Sequence, residues 1–210
     1  MTKQQIIERQ KALRANIWNI GLKLYATKGF SATTVADIAK LTGASHGPIY
    51  QYFGSKEDLY VELVIAAVKK VDAIVSAIAD KPISPADKIM RLTKIMLQHI
   101  KEDDATAYYY LLLPQALLLH DIAPRKAKTH IRRTYLIIEK IQRIISEGQR
   151  KGVIKRGNPQ ALSTLFLASI TGLCAYKALL GEDFVPPQPH VITIMLLKPQ
   201  SAEQAESQTE

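Results

Sequence analysis

TTVADIAKLTGASHGPIYQYFGSK, residues 33–56, is the stretch that decides the fold of this chain. Its pattern predicts two short helices, 34–41 and 46–52, joined by a turn. Thr34 is placed to cap the first helix, with Asp37 at the third helical position as the acid of a capping box. Gly43 suits the turn because glycine tolerates a positive φ. The stretch therefore predicts a helix-turn-helix.

The second short helix has an apolar side and an outward side. Ile49 and Phe53 lie four residues apart and are expected to point inward. Ser45 is the predicted cap and Pro48 lies in the first turn, where a missing N–H costs little. Because Pro48 has no N–H, Ser45 must cap through Gly47 or is free to hold a phosphate. The residues left to face outward or to lie at the margins are His46, Gly47, Pro48, Tyr50, Gln51 and Tyr52.

These outward residue types suit the recognition of DNA. Two exposed tyrosines are unfavourable unless they contact something. A glutamine such as Gln51 can make two hydrogen bonds to adenine, and tyrosine hydroxyls suit phosphates. Lys56 opens the next predicted helix beside Ser55, where a cation and free N–H groups favour a phosphate. We therefore expect the second short helix to enter a DNA major groove.

A longer set of positions around this stretch matches a known pattern. It comprises Tyr25-Ala26, Gly29-Phe30, Thr33-Thr34-Val35, Ile38-Ala39, Gly43-Ala44-Ser45, Gly47, Ile49-Tyr50, Phe53, Ser55-Lys56-Glu57 and Leu59. In these residues the chain resembles the TetR family of bacterial transcriptional regulators.

The resemblance implies roles for individual residues. It implies that Thr34, Ser45, Tyr50 and Lys56 contact the DNA backbone, while His46, Pro48 and Gln51 lie nearest the base edges. His46 departs from the lysine that the family often has there, which weakens a contact at neutral pH. Pro48 favours apolar contact with a thymine methyl over a hydrogen bond. The candidate DNA-binding residues are thus Thr34, Ser45, His46, Gly47, Pro48, Tyr50, Gln51, Tyr52 and Lys56.

The rest of the chain also has a helical pattern, so the predicted fold class is all-α. Further helices are expected over 8–28, 56–79, 85–103, 105–119, 125–151, 158–180 and 190–197. The predicted organisation is an N-terminal three-helix bundle with the helix-turn-helix (residues 1–54), then a larger helical ligand-binding and dimerisation domain (55–197). The polar tail, 198–210, is expected to be disordered.

The helix predicted over 158–180 is apolar on two sides. One face holds Leu162, Phe166, Leu173, Tyr176 and Leu180. A second stripe of mostly small residues holds Ala161, Leu165, Ala168, Gly172, Ala175 and Leu179. A helix that is apolar on both sides must be buried on both sides, so the second stripe is the candidate dimer interface; a fully enclosed core helix is the alternative. A homodimer would read a palindromic operator with half-sites about 34–36 Å apart.

A small-molecule pocket is suggested by ATAYYYLLLPQALLLH, residues 105–120, an uncharged and aromatic-rich helix in which Pro114 is expected to produce a kink. Few polar groups among apolar side chains are typical of ligand pockets, and the resemblance implies a small-molecule effector. Ordinary core packing is the alternative for the same residues. The candidate ligand-binding residues are Met96, His99, Tyr108, Tyr109, Tyr110, Gln115 and Phe166.

Composition narrows the class of protein. Lys and Arg outnumber Asp and Glu by 28 to 19, and the pI of about 9.5 favours polyanionic partners or an anionic membrane surface. Cys174 is the only cysteine, and the N-terminus has no signal-peptide pattern, so a cytoplasmic location is expected. A membrane span over 158–180 is disfavoured by its interrupting polar residues. The basic segment 125–156 is expected to be a solvated helix face, with an anionic-ligand entrance or a second nucleic-acid surface as the alternatives.

Catalytic and metal-binding motifs are absent, and no cofactor is expected. The sequence lacks G-x-S-x-G, G-x-x-x-x-G-K and H-E-x-x-H. The leading hypothesis is a homodimeric repressor that a small, largely apolar ligand releases from DNA. The second is a DNA-binding regulator without such a ligand, controlled by a protein partner or by abundance. A third is a helical enzyme or peripheral membrane protein with a vestigial DNA-reading module.

Overall fold

A computed structural model describes residues 2–199, and for residues 124–129 it describes the backbone alone. The regular structure of this part of the chain is helical, and the only β-type pairing in it is an isolated bridge between Ile154 and Leu197. The predicted all-α class is confirmed. The helices are α1 (Lys3–Ala32), α2 (Val35–Thr42), α3 (His46–Phe53), α4 (Lys56–Ala79), α5 (Pro85–Glu102), α6 (Asp104–Leu112), α7 (Leu119–Ile122), α8 (Pro124–Arg150), α9 (Pro159–Leu180) and α10 (Pro189–Thr193).

Helix starts follow local capping rules. α1 begins before the predicted residue 8, because Thr2 and Gln5 form a capping box. Gly29 breaks α1 near its end with φ 79°, close to where the sequence predicted a stop. α9 begins where the side chain of Asn158 accepts hydrogen bonds from the N–H groups of Gln160 and Ala161. Such caps pair backbone donors that the helix itself leaves unpaired.

Pro114 ends a helix instead of kinking it, so the single helix predicted over 105–119 is wrong. α6 stops at Leu112, a 3₁₀ helix follows over Pro114–Leu118, and α7 is a separate short helix. Proline has no N–H to continue the ladder and its ring clashes with the preceding turn. The 3₁₀ segment is called the Pro114 turn below.

The last helix is shorter than the predicted 190–197. α10 ends at Thr193, and the N–H of Leu196 then bonds the Thr193 carbonyl in a turn. Lys155 donates its N–H to the Leu196 carbonyl, next to the isolated bridge. Pairing with residues 153–155 thus replaces the helix. The Lys198 N–H also donates to the Val153 carbonyl. The rest of the predicted tail, from residue 200 onward, lies outside the described residues.

α4 is the central element of the fold. Its amino-terminal part packs on α1 and α3, and the helix also packs against α5, α6 and α8. Leu59, Leu63, Ala67, Val71 and Ile78 lie on one stripe of this helix and are buried, and Ile74 on the same stripe is half-buried. One helix therefore belongs to both the amino-terminal module, α1–α3, and the core of the larger helical part.

The inner face of α9 differs from the predicted one. Tyr176 is 61% exposed and Leu180 is 48% exposed, so both lie outside the core. The buried face instead holds Ser163, Phe166, Ile170, Cys174 and Lys177, because α6 and α8 cover that side. Lys177 is tolerated there since its ammonium lies 3.4 Å from an Asp104 oxygen. By length and composition, residues Pro159–Asp183 could cross a membrane, and 22% of that apolar window is buried.

Candidate DNA-binding surface

The start of α2 is held by a reciprocal cap. The Thr34 hydroxyl oxygen accepts the Asp37 N–H at 3.1 Å, and Asp37 Oδ2 accepts the Thr34 N–H at 2.9 Å. The same carboxylate oxygen accepts the Thr34 hydroxyl proton at 2.7 Å. These hydrogen bonds from Thr34 lower the pKa of Asp37. Thr34 is exposed, as a contact to the DNA backbone requires. However, its N–H and its hydroxyl both already donate to Asp37.

The turn between α2 and α3 is anchored to α1. Gly43 ends α2 in the left-handed region with φ 67°, where a side chain would be strained. The Thr42 hydroxyl donates to the Ile38 carbonyl at 2.9 Å, and Asn16 Nδ2 reaches the Thr42 carbonyl at 3.5 Å. Asn16 was missed from the sequence, because nothing local links it to a turn 26 positions away.

Ser45 caps α3 without using its side chain. The residue has extended backbone, and its hydroxyl makes no capping hydrogen bond. Pro48 supplies no N–H at the third helical position, which is the donor that a serine cap would otherwise accept from. The sequence left two alternatives for Ser45, and the structure agrees with the one in which its hydroxyl is free. An exposed, uncommitted hydroxyl at a helix start is suited to a phosphate oxygen.

The inner face of α3 is fixed by packing. Ile49 and Phe53 are buried, as predicted. The Phe53 ring lies 6.2 Å from the Trp18 ring, and the Arg14 guanidinium lies 5.0 Å above it. Tyr52 is half-buried against the edge of Phe53 and is therefore a marginal residue of the helix, not an outward one.

The outer face of α3 is exposed. His46, Gly47 and Gln51 are exposed, Pro48 is half-buried, and Tyr50 keeps 51% of its surface in solvent. Tyr50 is a large aromatic side chain with no aromatic neighbour among the described residues. A helix of this width fits a major groove, where glutamine and histidine can reach base edges. The structure thus brings the predicted base-edge residues together on one short helix.

Lys56 lies at the junction of the amino-terminal module and α4. Its ammonium is 4.2 Å from the centre of the Phe30 ring, and its carbonyl accepts the Tyr25 hydroxyl at 3.2 Å. Burial is the main cause of the raised pKa of Tyr25, and the negative charge of the nearby Glu57 raises it further. Ser55 caps α4 by accepting the Asp58 N–H at 3.0 Å. The predicted phosphate-contacting lysine is therefore held in position from two sides.

The amino-terminal module matches a known family. Residues 19–63 match the family described as bacterial regulatory proteins, tetR family. The predicted resemblance to the TetR family is confirmed. The HTH-type transcriptional regulator AcrR of Shigella flexneri is 30% identical over 105 residues, which are 50% of this chain and 46% of AcrR. The chain spans about half the length of the curated relatives that it matches.

Solved structures of TetR-family proteins share the whole fold. The ketosteroid transcriptional regulator KstR2 of Mycobacterium tuberculosis has a TM-score of 0.67, with 18% identity over 89% of this chain and 95% of its own. The TetR-family regulator PfmR from Thermus thermophilus has a TM-score of 0.62, with 21% identity over 85% and 93%. The predicted arrangement of a helix-turn-helix followed by a larger helical part is confirmed.

The residues predicted to bind a ligand lie in and around the α4–α6 core. Met96, Tyr110 and Phe166 are buried. His99, Tyr108, Tyr109 and Gln115 are half-buried. The His99 Nδ1 atom lies 3.0 Å from the Tyr110 hydroxyl, and burial lowers the pKa of His99 while it raises that of Tyr110. The ligand role of these residues stays a prediction.

Two of these residues form hydrogen bonds with side chains of α1 and of the first part of α4. The Trp18 indole donates to the Tyr109 hydroxyl at 2.8 Å, and the Tyr60 hydroxyl donates to Gln115 Oε1 at 3.0 Å. Burial raises the pKa of Tyr60 to about 12, so its hydroxyl stays protonated and donating. Trp18 and Tyr60 were not singled out from the sequence, since both occur where ordinary core residues are expected.

The predicted dimer residues all lie on the exposed side of α9. Leu179 is 78% exposed and Leu165 is 48% exposed, while the four small residues between and around them are also in solvent. The small residues are Ala161, Ala168, Gly172 and Ala175. An exposed apolar stripe of this kind is typical of a surface that another chain or a membrane covers.

Proposed function

We propose that this chain is a sequence-specific DNA-binding transcriptional regulator whose α3 enters the major groove. The observation that carries the proposal is the geometry of α3. Its apolar residues, Ile49 and Phe53, are buried, while Gln51, Tyr50 and the unpaired Ser45 hydroxyl face solvent. Gln51 supplies base recognition, and Ser45, Tyr50 and Lys56 supply backbone contacts. The excess of basic residues favours a polyanion.

The regulator acts as a homodimer in this proposal. The exposed α9 stripe supports it, because two leucines and four small residues would otherwise remain in water. Two copies of α3 related by a two-fold axis then read a palindromic operator with half-sites about 34–36 Å apart. Residues 1–54 form the DNA-binding domain, and residues 55–197 form the ligand-binding and dimerisation domain.

A small, largely apolar ligand releases the repressor from its operator in the cytoplasm. The support is the pair of hydrogen bonds that link the α6 region to the rest of the molecule: Trp18 to Tyr109 and Tyr60 to Gln115. A ligand that moves α6 changes the position of α1 and hence the spacing of the two reading helices. Both halves of an operator then cannot be bound together.

Catalysis is not part of the proposed function. The matched relatives are transcriptional regulators. Among the described residues, no group of three His, Cys, Asp or Glu side chains could hold a metal ion. Burial raises the pKa of the Cys174 thiol to about 12, so the thiol is a poor nucleophile at neutral pH.

Selection of genomic fragments by the purified chain, read by sequencing, tests the proposal. The expected result is a palindrome whose half-sites are one helical turn apart, bound with a steep salt dependence. Recovery of random fragments without a shared motif would contradict sequence-specific regulation. A regulator controlled by a protein partner would also yield the palindrome, but no small molecule would weaken its binding.

A further inference from the structure

A cleft opens between the Pro114 turn, α8 and α9. Its volume is about 370 Å³. Leu113, Pro114 and Leu117 form one wall, and residues of α8 and α9 form the others. None of the nine lining residues is charged, and the only polar side chains are those of Thr134, Thr164 and Thr171. None of the residues predicted from the sequence to bind a ligand lines this cleft.

The cleft lies where Pro114 ends the helical run of α6. α6 ends at Leu112, before the proline, and a tighter 3₁₀ turn follows over Pro114–Leu118. Leu117 is 38% exposed as a result, although it is a large apolar residue beside a buried Ala116. The apolar wall therefore faces an open volume, while the other side of the same turn packs into the core.

The lining selects the chemistry of a ligand. A charged group would lose its hydration without gaining an ionic partner, which strongly disfavours its burial. The Thr134 hydroxyl already donates to the His130 carbonyl at 3.0 Å, so it can offer only its acceptor. Thr164 and Thr171 make no side-chain hydrogen bond within the described part of the chain, and their hydroxyls can donate or accept.

We propose that this cleft is the effector site, and that it binds an uncharged, mainly aliphatic molecule carrying at least one hydroxyl or carbonyl group. This inference rests on the proposed function for the consequence of binding. The volume falls within the range of about 300–1,000 Å³ that is usual for small-molecule sites. Apolar walls with three separated hydroxyls bind the body of such a molecule and orient its polar group.

The same turn connects the cleft to the DNA-binding module. Gln115 lies between two residues of the cleft wall, and its Oε1 accepts the Tyr60 hydroxyl. The Tyr60 ring lies 5.2 Å from the Tyr25 ring and 5.0 Å from the Phe30 ring. Tyr25 in turn donates to the carbonyl of Lys56, the first residue of α4. A ligand that displaces the Pro114 turn therefore acts on the residues that position Lys56.

The cleft borders the α9 stripe. Ala168 belongs both to the cleft lining and to the predicted dimer interface. A second copy of the chain seated on the stripe would therefore lie beside the cleft. If side chains of that copy fill the cleft instead, the wild type fails to bind the dye in the titration below.

Titration of the purified full chain with Nile red, an uncharged polarity-sensitive dye, tests the site. Thr164→Phe and Leu117→Trp place aromatic bulk in the cleft, and Thr164→Ser is the matched control that keeps the hydroxyl. Each filling variant should weaken dye binding by about tenfold or more, whereas the serine variant should match the wild type. Equal dye binding by the wild type and both folded filling variants would overturn the site, as would failure of the wild type to bind.

Competition defines the ligand class. Decanol and decanoate have the same chain length but differ in charge. Decanol should displace the dye at a concentration about tenfold or more below that of decanoate. Stronger displacement by decanoate would overturn the uncharged class, because it would require a cationic partner that the lining lacks.

Operator binding separates this inference from the proposed function. Decanol should weaken binding of the wild type to the recovered operator. Tyr60→Phe, which removes only the hydroxyl that bonds Gln115, should bind the dye normally but lose most of that response. Failure to recover any operator would refute the proposed function and leave the dye test valid. Recovery of an operator with no effect of the filling variants on dye binding would refute the cleft alone.

Discussion

The indole of Trp18 donates a 2.8 Å hydrogen bond to the hydroxyl of Tyr109, and this contact joins α1 to α6. The Trp18 ring also packs against Phe53 on the inner face of α3. On the other side, the Lys70 ammonium lies 5.3 Å from the centre of the Tyr109 ring. A single side chain in α1 therefore contacts both α3 and α6, the helix that precedes the Pro114 turn.

Removing the Tyr109 hydroxyl should destabilise the folded chain. Tyr109→Phe leaves the Trp18 N–H without its partner in a half-buried place, so the free energy of unfolding should fall by about 1 kcal/mol. Combining it with Trp18→Phe should give a coupling energy of about 0.5–1.5 kcal/mol in a double-mutant cycle. Denaturant titration at fixed protein concentration measures both quantities.

The control for this cycle is Tyr135→Phe. Tyr135 is 53% exposed on α8, and no described side chain bonds its hydroxyl. Its substitution should change stability by less than about 0.5 kcal/mol. Strictly additive losses from Trp18→Phe and Tyr109→Phe would show that the hydrogen bond does not contribute to the α1–α6 contact.

Ser45→Ala should weaken DNA binding without weakening the fold. The Ser45 hydroxyl makes no capping bond, so its removal should change the free energy of unfolding by less than about 0.5 kcal/mol. Thr34→Ala is the matched comparison, because Thr34 caps α2 and its loss should cost about 1 kcal/mol. Thermal melts and operator titrations of both variants measure the difference. Equal destabilisation by the two substitutions would rule out a free Ser45 hydroxyl.

Tyr50 and Gln51 should differ in what they contribute to recognition. Tyr50→Ala should lower affinity for all duplexes to a similar extent, because a hydroxyl on a phosphate carries no sequence information. Gln51→Ala should relax specificity at one base position by about 1–3 kcal/mol. Binding to a library of single-base operator variants separates the two effects. The role assignment would be wrong if both substitutions reduced specificity equally.

Local rules were sufficient for most helices. The predicted segments 34–41, 46–52 and 56–79 agree with α2, α3 and α4 because caps, glycine turns and apolar periodicity act within a few residues. The Thr34–Asp37 capping box was predictable for the same reason. Pro114 was recognised as a disruption, but whether proline kinks or ends a helix depends on the packing around it.

Contacts between distant residues were not predictable. Trp18 and Tyr109 are 91 positions apart, and Tyr60 and Gln115 are 55 positions apart. The covered side of α9 was misjudged because both sides are apolar, so only the position of α6 and α8 decides which is buried. The cleft beside the Pro114 turn likewise depends on how three segments meet, and periodicity within one helix carries no such information.

Acid should destabilise the fold through His99. Burial lowers its pKa, Lys70 lowers it further, and Asp103 and Glu102 oppose the shift. The unfolded chain, with a histidine pKa of about 6.5, then binds more protons than the folded chain as the pH falls below that value. The free energy of unfolding should therefore decrease from pH 7.5 towards about pH 5, and His130, whose pKa burial also lowers, adds in the same direction.

Denaturant titrations across this pH range check the effect. His99→Gln should show a shallower loss of stability with acid than the wild type. The matched control is His190→Gln, because His190 is exposed on α10. An unaltered slope in His99→Gln would mean that His99 is not the group responsible.

Charging the α9 stripe should dissociate the proposed dimer without unfolding the chain. Leu165→Glu combined with Leu179→Glu places two carboxylates where a second copy would pack, and burying unpaired charges is strongly unfavourable. Both positions are exposed in the single chain, so its own stability should change by less than about 1 kcal/mol. Sedimentation velocity should show twice the 23.4 kDa chain mass for the wild type and a single chain for the double variant. Val185→Glu, at a position 84% exposed on the segment after α9, should remain dimeric. A dimer that survives both glutamates would place the interface elsewhere than the α9 stripe.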